Sequence, residues 1–248
     1  MALSKDNPEK VDRIQQTPFT KAERRLLDWL CERMPAWVTP DKLTLLAALA
    51  AIGIGLCFAF SGQHPWLLWL SIALFGVHWF GDSLDGSIAR YRRMERPNYG
   101  FFIDHSSDMM AGFVILGGLG LSPYVRIEIA LLALAGYFLL AIHTFLLAKV
   151  TGEFHLSHGG LGPTEIRMIF IALTLGIIFG GPDVPSWGGY SVYDIVVGGC
   201  AVLMLGIFAV VTLSVGRRLS QEDNARLAAR MAARAEQDAR QDAGQPRR

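Results

Sequence analysis

The sequence is poor in cysteine and in charge. Its three cysteines, Cys31, Cys57 and Cys200, lie far apart and match no metal-binding spacing. An odd number of isolated cysteines excludes a disulfide framework as the basis of the fold. Only 18% of the residues are charged, and the net charge is +1. The overall charge therefore gives no information on partners.

Long apolar runs account for the low charge. Hydrophobic residues make up 52% of the chain, and six runs are long enough to cross a membrane: residues 43–60, 66–88, 99–120, 124–148, 164–181 and 192–215. We therefore predict an all-α integral membrane protein with six transmembrane helices. The first run follows a polar segment, so we expect no cleavable signal peptide.

Polar segments flank the predicted spans. From Phe19 to Trp37 apolar residues recur at helical spacing, with basic residues on the other side. This pattern predicts an N-terminal amphipathic helix at the membrane interface; packing on a soluble partner is the alternative. We divide the chain into the lead and interfacial helix (1–42), a membrane domain (43–216) and an Ala/Arg-rich cytoplasmic tail (217–248). Acidic residues interleaved in the tail argue against nucleic-acid binding.

Basic residues are unevenly divided between the connecting segments. Three segments contain only Arg126 among Lys and Arg: 61–65, 121–126 and 182–191. Nearly all other basic residues lie in the remaining segments: 1–42, 89–97, 149–167 and 217–248. Because cytoplasmic loops carry the excess of Lys and Arg, both termini are expected in the cytoplasm, and a bacterial-type inner membrane is the expected location.

Four carboxylates interrupt the apolar runs, near ends that this rule assigns to the cytoplasm: Asp82, Asp85, Asp104 and Asp108. An ionisable residue in a membrane segment is costly and is by default a candidate functional residue. The first two are three residues apart and the last two are four apart, so each pair shares one helix face. Four carboxylates around one point repel each other unless cations lie between them. Oxygen ligands alone favour Mg²⁺ or Mn²⁺ over zinc.

Small residues follow the carboxylates at helical spacing. Gly86 and Ala89 lie four and seven residues after Asp82, and Gly100 lies four before Asp104. The same face therefore carries a carboxylate at one level and almost no side chain at the next, which leaves room for a bulky ligand. Positive charge of the kind that a phosphate binds is supplied nearby by four arginines: Arg90, Arg92, Arg93 and Arg96.

The complete pattern from Asp82 to Asp108 is D-x2-D-G-x2-A-R-x9-G-x3-D-x3-D. It resembles the signature of the CDP-alcohol phosphotransferases, also called CDP-alcohol phosphatidyltransferases, which are integral membrane enzymes of phospholipid synthesis. The resemblance implies a Mg-dependent transferase in which an acceptor hydroxyl attacks the β-phosphorus of a CDP-linked donor and CMP is released.

The resemblance also implies roles for the carboxylates. Asp82, Asp85 and Asp104 would hold one or two Mg²⁺ or Mn²⁺ ions, and Asp108 would reach the second ion. The ions would bind the pyrophosphate and stabilise the leaving CMP. In the family the last aspartate of the motif is taken as the general base, and that role falls on Asp108.

The nucleotide is expected beside the small residues and the start of the first span. The groups predicted to contact cytidine or its phosphates are Gly86, Ala89, Arg90 and Thr44. Thr39 and Pro40 predict the N-cap and the first residue of that helix. The chain departs from the family's usual Pro-Asn pair here, because Asp41 follows Pro40.

A second polar stretch, Thr151 to Arg167, opens the fifth span. Its order, Val-Thr-Gly, a gap and then Thr-Glu, is similar to a segment of the choline and ethanolamine phosphotransferases, which transfer a phosphoalcohol from CDP donors to diacylglycerol. This resemblance favours a lipid acceptor and makes Glu165 a second candidate catalytic residue. The other branch uses CDP-diacylglycerol and a soluble alcohol or sugar phosphate, for which Lys149 and Arg167 would form a basic cluster. That branch stays open.

Two other classes of protein fit the same residues less well. Buried aspartates coordinate ions in cation transporters, but a transporter needs polar groups in both halves of the membrane, and here they crowd at one end. An inactive scaffold is disfavoured because every motif position is filled. The expected partners are a CDP-linked donor, a lipid or alcohol acceptor and membrane lipids. The oligomeric state is open, a homodimer included, as are the roles of four histidines: His78, His105, His155 and His158.

Overall fold

The computed structural model of the chain describes residues 18–151 and 163–244. The helices are α1 (Pro18–Arg33), α2 (Pro40–Phe60), α3 (Leu67–Tyr91), α4 (Pro97–Gly120), α5 (Ile127–Thr151), α6 (Pro163–Gly180) and α7 (Val192–Gly244). A short antiparallel hairpin of β1 (Ser186–Trp187) and β2 (Tyr190–Ser191) precedes α7. The predicted all-α class is confirmed.

Each of the six predicted spans corresponds to one of the helices α2 to α7. Within the described ranges, four helices are long and apolar enough to cross a membrane: α2, α3, α5 and the part of α7 from Val192 to Glu236. The first of these begins as predicted, with Pro40 in the first turn and the Thr39 hydroxyl accepting a hydrogen bond from the amide of Lys42.

The main core forms where α2, α3, α4 and α5 pack together around fully buried side chains such as Ile54, Phe58 and Leu119. Two glycines bring α2 and α4 into backbone contact. A Cβ added to Gly118 would lie 2.1 Å from the carbonyl oxygen of Gly55. Small residues at such crossings let helix backbones approach closely, as in many membrane helix pairs.

Helix α1 packs against the first part of the bundle with one side. Leu27 and Cys31 are buried against Leu84 and Ile88 of α3. This burial raises the pKa of the Cys31 thiol, and the nearby Asp28 carboxylate adds to the effect. Other apolar residues of α1 and of its connection to α2 are exposed, among them Leu26, Trp29 and Trp37.

One face of α2 remains apolar and open. Leu45, Leu49, Ile52 and Leu56 are all exposed and follow one another at helical spacing. In water such a stripe would form a large unfavourable patch, whereas hydrocarbon solvates it without cost. The exposed stripe therefore fits a helix that contacts lipid.

A buried carboxylate, Asp194, lies at the end of the bundle that is far from the motif. Asp194 accepts hydrogen bonds from the backbone amides of Arg126 at 2.8 Å and Ser191 at 2.9 Å. The Tyr193 hydroxyl donates to the carbonyl of Gly181 at 3.0 Å. These bonds satisfy backbone groups in the connections that precede α5 and α7.

The chain divides into two compact units, residues 1–205 and 206–248. The first contains the motif. The described part of the second is the continuation of α7, and its ion pairs Arg218–Glu222 and Arg226–Asp223 follow helical spacing. The predicted tail after Arg217 is thus helical as far as Gly244.

Candidate active site

Three of the four motif aspartates meet between α3 and α4. Asp82 of α3 and Asp104 and Asp108 of α4 each offer one oxygen, and these oxygens all lie within 4.8 Å of one another. All three side chains are partly buried. An all-oxygen set of this size suits Mg²⁺ or Mn²⁺, so the residues fit the predicted metal.

The fourth aspartate has different neighbours. Asp85 is buried, and its Oδ2 accepts a hydrogen bond of 2.6 Å from the Thr44 hydroxyl at the start of α2. Its Oδ1 accepts from the amide of Gly86. Asp85 therefore shares a face of α3 with Asp82 but is held toward α2. Thr44, which we predicted beside the nucleotide, contacts this carboxylate.

A glycine next to the motif sets the distance between α2 and α3. A Cβ added to Gly81 would lie 2.6 Å from the carbonyl oxygen of Leu43 and 2.9 Å from the amide of Ala47. No side chain could be accommodated there without moving a backbone. The close approach is what lets Thr44 reach Asp85.

Helix α6 contributes a buried guanidinium. One terminal nitrogen of Arg167 donates to Oδ2 of Asp82, and its Nε donates to Nδ1 of His78 at 3.2 Å. His78 lies one turn before Asp82 on α3, so the arginine spans one helix turn. Because His78 Nδ1 accepts this bond, the neutral ring carries its proton on Nε2.

Two glycines of the motif have little protein beside them. A Cβ added to Gly100 would meet nothing within 4 Å, and the three atoms nearest to one added to Gly86 all belong to the Arg90 guanidinium, at 3.3 to 3.9 Å. Arg90 is exposed and also donates to the Ser87 hydroxyl at 3.3 Å. This face can accept a ligand without moving protein backbone.

Two of the four nearby arginines are used elsewhere. The Arg92 guanidinium donates to the carbonyls of Met34, Pro35 and Val38 at 2.8, 2.9 and 2.5 Å, and so holds the connection between α1 and α2. Arg96 pairs with Asp41, the residue after Pro40 at the start of α2. We therefore leave these two arginines out of a phosphate site.

Sequence reasoning missed an aromatic residue at the cluster. Tyr137 of α5 brings its hydroxyl to 3.4 Å from the backbone carbonyl of Asp108. Its ring fits against Gly112, where an added Cβ would lie only 2.6 Å from a ring carbon. The available signal was a tyrosine within an otherwise apolar run, which is too common to point to a site by itself.

The remaining predicted residues lie at or near the same end of the bundle. Glu165 is in the first turn of α6, two residues before Arg167. Residues two apart leave a helix on different sides, so the two side chains do not share a face. Lys149 is exposed in the last turn of α5. His105 donates from Nδ1 to the carbonyl of Phe101 at 2.8 Å if that nitrogen carries the proton, and its ring stacks on Phe101.

Of the four histidines whose roles the sequence leaves open, His155 and His158 lie outside the described residues. Together, the apolar helices indicate a membrane protein, and its cluster of three aspartates could hold a metal ion.

Comparison with known proteins identifies the family. A sequence model of the family described as CDP-alcohol phosphatidyltransferase matches residues 37–214, well over half of the chain. The chain belongs to this family. The match includes the whole motif and the first residues of α6.

Individual relatives come from both branches. The chain is 29% identical over 119 residues to a CDP-diacylglycerol–glycerol-3-phosphate 3-phosphatidyltransferase of Cereibacter sphaeroides, covering 46% of this chain and 53% of that protein. It is 31% identical over 127 residues to cholinephosphotransferase 1 of Gallus gallus, covering 45% and 37%. A third relative is an uncharacterized class-I family protein of Dictyostelium discoideum, 26% identical over 191 residues and covering 72% and 44%. The matches span about half of these relatives' length or less.

Proposed function

We propose that this protein is a CDP-alcohol phosphotransferase that transfers a phospho-alcohol group from a CDP-linked donor to an acceptor hydroxyl and releases CMP. The observation that carries the proposal is the meeting of Asp82, Asp104 and Asp108 within 4.8 Å, next to a face that is open at Gly86 and Gly100. Carboxylates in this arrangement suit one or two Mg²⁺ or Mn²⁺ ions bound to a pyrophosphate. Bound there, such an ion would neutralise charge on the pyrophosphate and on the leaving CMP.

The reaction requires one proton transfer and one exchange of P–O bonds. The acceptor oxygen forms a bond to the β-phosphorus of the donor, while the bond from that phosphorus to the bridging oxygen breaks and CMP leaves with that oxygen. The hydroxyl proton passes to Asp108, the last carboxylate of the motif. Asp108 is suited to this role because it lies deeper along α4 than Asp104, among partly buried groups.

The nucleotide end of the donor would lie along the open face. Gly86 and Ala89 would leave room for cytidine, and the exposed Arg90 at its edge is the candidate for a phosphate contact. Thr44 acts on this face through Asp85, whose orientation its hydroxyl sets. Arg167 orients Asp82 from the other side.

A lipid acceptor such as diacylglycerol is the acceptor we favour. The alternative, a soluble alcohol or sugar phosphate used with CDP-diacylglycerol, calls for basic groups that clamp a phosphate dianion. Arg167 is instead engaged by Asp82 and His78, and Lys149 is exposed at the end of α5. Glu165, at the start of α6, is our candidate for orienting the lipid hydroxyl.

We further propose that all six helices α2 to α7 span the membrane, with both termini and the aspartates on the cytoplasmic side. The uneven distribution of Lys and Arg supports this orientation. Exposed aromatic residues support the ends of the spans, since Trp66, Trp69 and Trp187 lie at the ends far from the motif, where indole rings favour the interface. Helix α1 would lie on the cytoplasmic surface with Trp29 and its arginines toward the headgroups.

The test is transfer by purified protein in lipid vesicles. Radiolabelled CDP-choline, CDP-ethanolamine and CDP-diacylglycerol are each supplied with diacylglycerol and a panel of soluble alcohols, and lipid products and CMP are measured. CMP release with a labelled lipid product supports the proposal. Metal-dependent cation flux across the vesicles without CMP release from any donor would favour a transporter instead.

A further inference from the structure

A carboxylate on α1 joins the two helices that bring Asp82 and Arg167 together. The indole Nε1–H of Trp79 donates to Oε1 of Glu23 over 2.8 Å, and the Thr164 hydroxyl donates to the same oxygen over 3.2 Å. Trp79 belongs to α3, and Thr164 lies in the first turn of α6. One half-buried side chain therefore bridges three helices.

One donor is a helix turn from Asp82 of the aspartate cluster, and the other is a turn from Arg167, the partner of Asp82. Trp79 precedes Asp82 by three residues, and Thr164 precedes Arg167 by three. Residues three apart share a helix face, so the Glu23 bridge and the Arg167–Asp82 ion pair are successive links between α3 and α6. Loss of the bridge would free the first turn of α6 to shift relative to α3.

The bridge also depends on how α1 is seated. Cys31, two turns after Glu23, is only 3% exposed because it is packed against α3. On its other side α1 exposes Trp29 and two arginines, Arg24 and Arg25. The helix that we assign to the membrane surface is thus connected by one carboxylate to the start of α6.

We propose that Glu23 is a positioning residue for this site: by accepting from Trp79 and Thr164 together, it holds the first turn of α6 so that Arg167 stays on Asp82. The inference rests on the proposed function for its kinetic consequence. It also has a structural consequence that needs no activity, because a loosened α1 exposes Cys31.

The kinetic test compares three variants of the full-length protein in lipid vesicles. Glu23→Ala removes both hydrogen bonds, and we expect kcat to fall about tenfold or more, since small displacements of site residues are costly. Its Mn²⁺ affinity, measured by electron paramagnetic resonance, should stay within about threefold, because the aspartates are intact. Glu23→Gln keeps an accepting oxygen and should hold kcat within about threefold. The matched control is Glu32→Ala, which removes an exposed carboxylate of the same helix.

The structural test is maleimide labelling of Cys31 in a background with Cys57→Ala and Cys200→Ala. Glu23→Ala should label about tenfold faster than the parent, as expected for a local opening, whereas Glu32→Ala should label at the parental rate. If the parent protein transfers nothing from any donor, the proposed function fails, and the labelling rates still test the bridge.

Several results would overturn the proposal. These are an unchanged kcat in Glu23→Ala, equal losses in Glu23→Gln and Glu23→Ala, a parallel fall in Mn²⁺ affinity, and unchanged labelling of Cys31. If Glu23→Ala does not fold, Trp79→Phe and Thr164→Val each remove one arm of the bridge. Both should then lower kcat by a few-fold, and parental kcat in both would also refute the bridge.

Discussion

The Thr44 hydroxyl lies 2.6 Å from Oδ2 of Asp85, and this hydrogen bond ties the start of α2 to the helix that carries half of the aspartate motif. It makes the four carboxylates of the motif unequal. Three of them converge, whereas Asp85 is buried and held toward α2. The order of effects among variants should follow this inequality.

Replacing Thr44 by Val should therefore act through Asp85. The change keeps the shape of the side chain but leaves a buried carboxylate oxygen without its donor, a loss of about 1–3 kcal/mol. We expect kcat to fall about tenfold and the Mg²⁺ requirement to rise, since each 1.4 kcal/mol is a factor of ten. Thr44→Ser keeps the hydroxyl and serves as the control. A rise in KM for the donor alone, with kcat unchanged, would mean that Thr44 contacts the nucleotide directly.

Removing the charge of Asp82 should weaken metal binding. Asp82→Asn replaces an anionic ligand by a neutral amide, and it also leaves Arg167 facing a neutral partner. We expect loss of nearly all turnover and weaker Mn²⁺ binding, seen in electron paramagnetic resonance as a larger signal from free Mn²⁺. Excess EDTA should abolish the transfer activity of the parent protein, and excess Mg²⁺ should restore that activity. Full activity in EDTA would contradict the metal site.

The proposed general base can be separated from the metal ligands. Asp108→Asn should lower kcat about 10²-fold or more, the usual scale for a lost general base. Binding of the donor should change far less, because Asp82 and Asp104 remain. Donor affinity is measured by equilibrium binding with a slowly reacting acceptor. Loss of donor binding together with a normal rate for the donor that still binds would make Asp108 a ligand only.

The close approach of α2 and α3 at Gly81 should make this glycine indispensable. An added methyl group would meet the Leu43 carbonyl oxygen at 2.6 Å, so Gly81→Ala should cost about 1–3 kcal/mol of unfolding free energy. Gly76→Ala on the same helix meets nothing within 4 Å and should be neutral or slightly stabilising. Thermal unfolding in detergent compares the two. Equal midpoints would show that the helices can separate without cost.

Long apolar runs predicted α2 to α7, and helical periodicity predicted α1, because each of these segments is bounded by polar, glycine or proline residues. The motif spacing predicted all four carboxylates around one point. Asp82, Asp104 and Asp108 do converge, whereas Asp85 is hydrogen-bonded to Thr44 of α2. The spacing of residues in the sequence could not predict which helices lie next to each other. The contacts of Arg167 with Asp82, Thr44 with Asp85, and Glu23 with Trp79 all join residues more than 40 positions apart.

Variants of Glu165 and Lys149 should show whether the acceptor is a lipid hydroxyl or a soluble molecule. A lipid hydroxyl needs an acid near the membrane face to orient it, whereas a sugar phosphate needs basic groups for its dianion. Glu165→Gln should therefore lower transfer from a CDP-aminoalcohol to diacylglycerol about tenfold or more, and Lys149→Ala should be mild. Arg167 is unsuited to this comparison, because its loss would also disturb Asp82. The reverse pattern, or label passing from CDP-diacylglycerol to a water-soluble alcohol, would assign the protein to the phosphatidyltransferase branch. Both reactions would need Asp82, Asp104 and Asp108, because both break the bond between the β-phosphorus and the bridging oxygen of a CDP-linked donor.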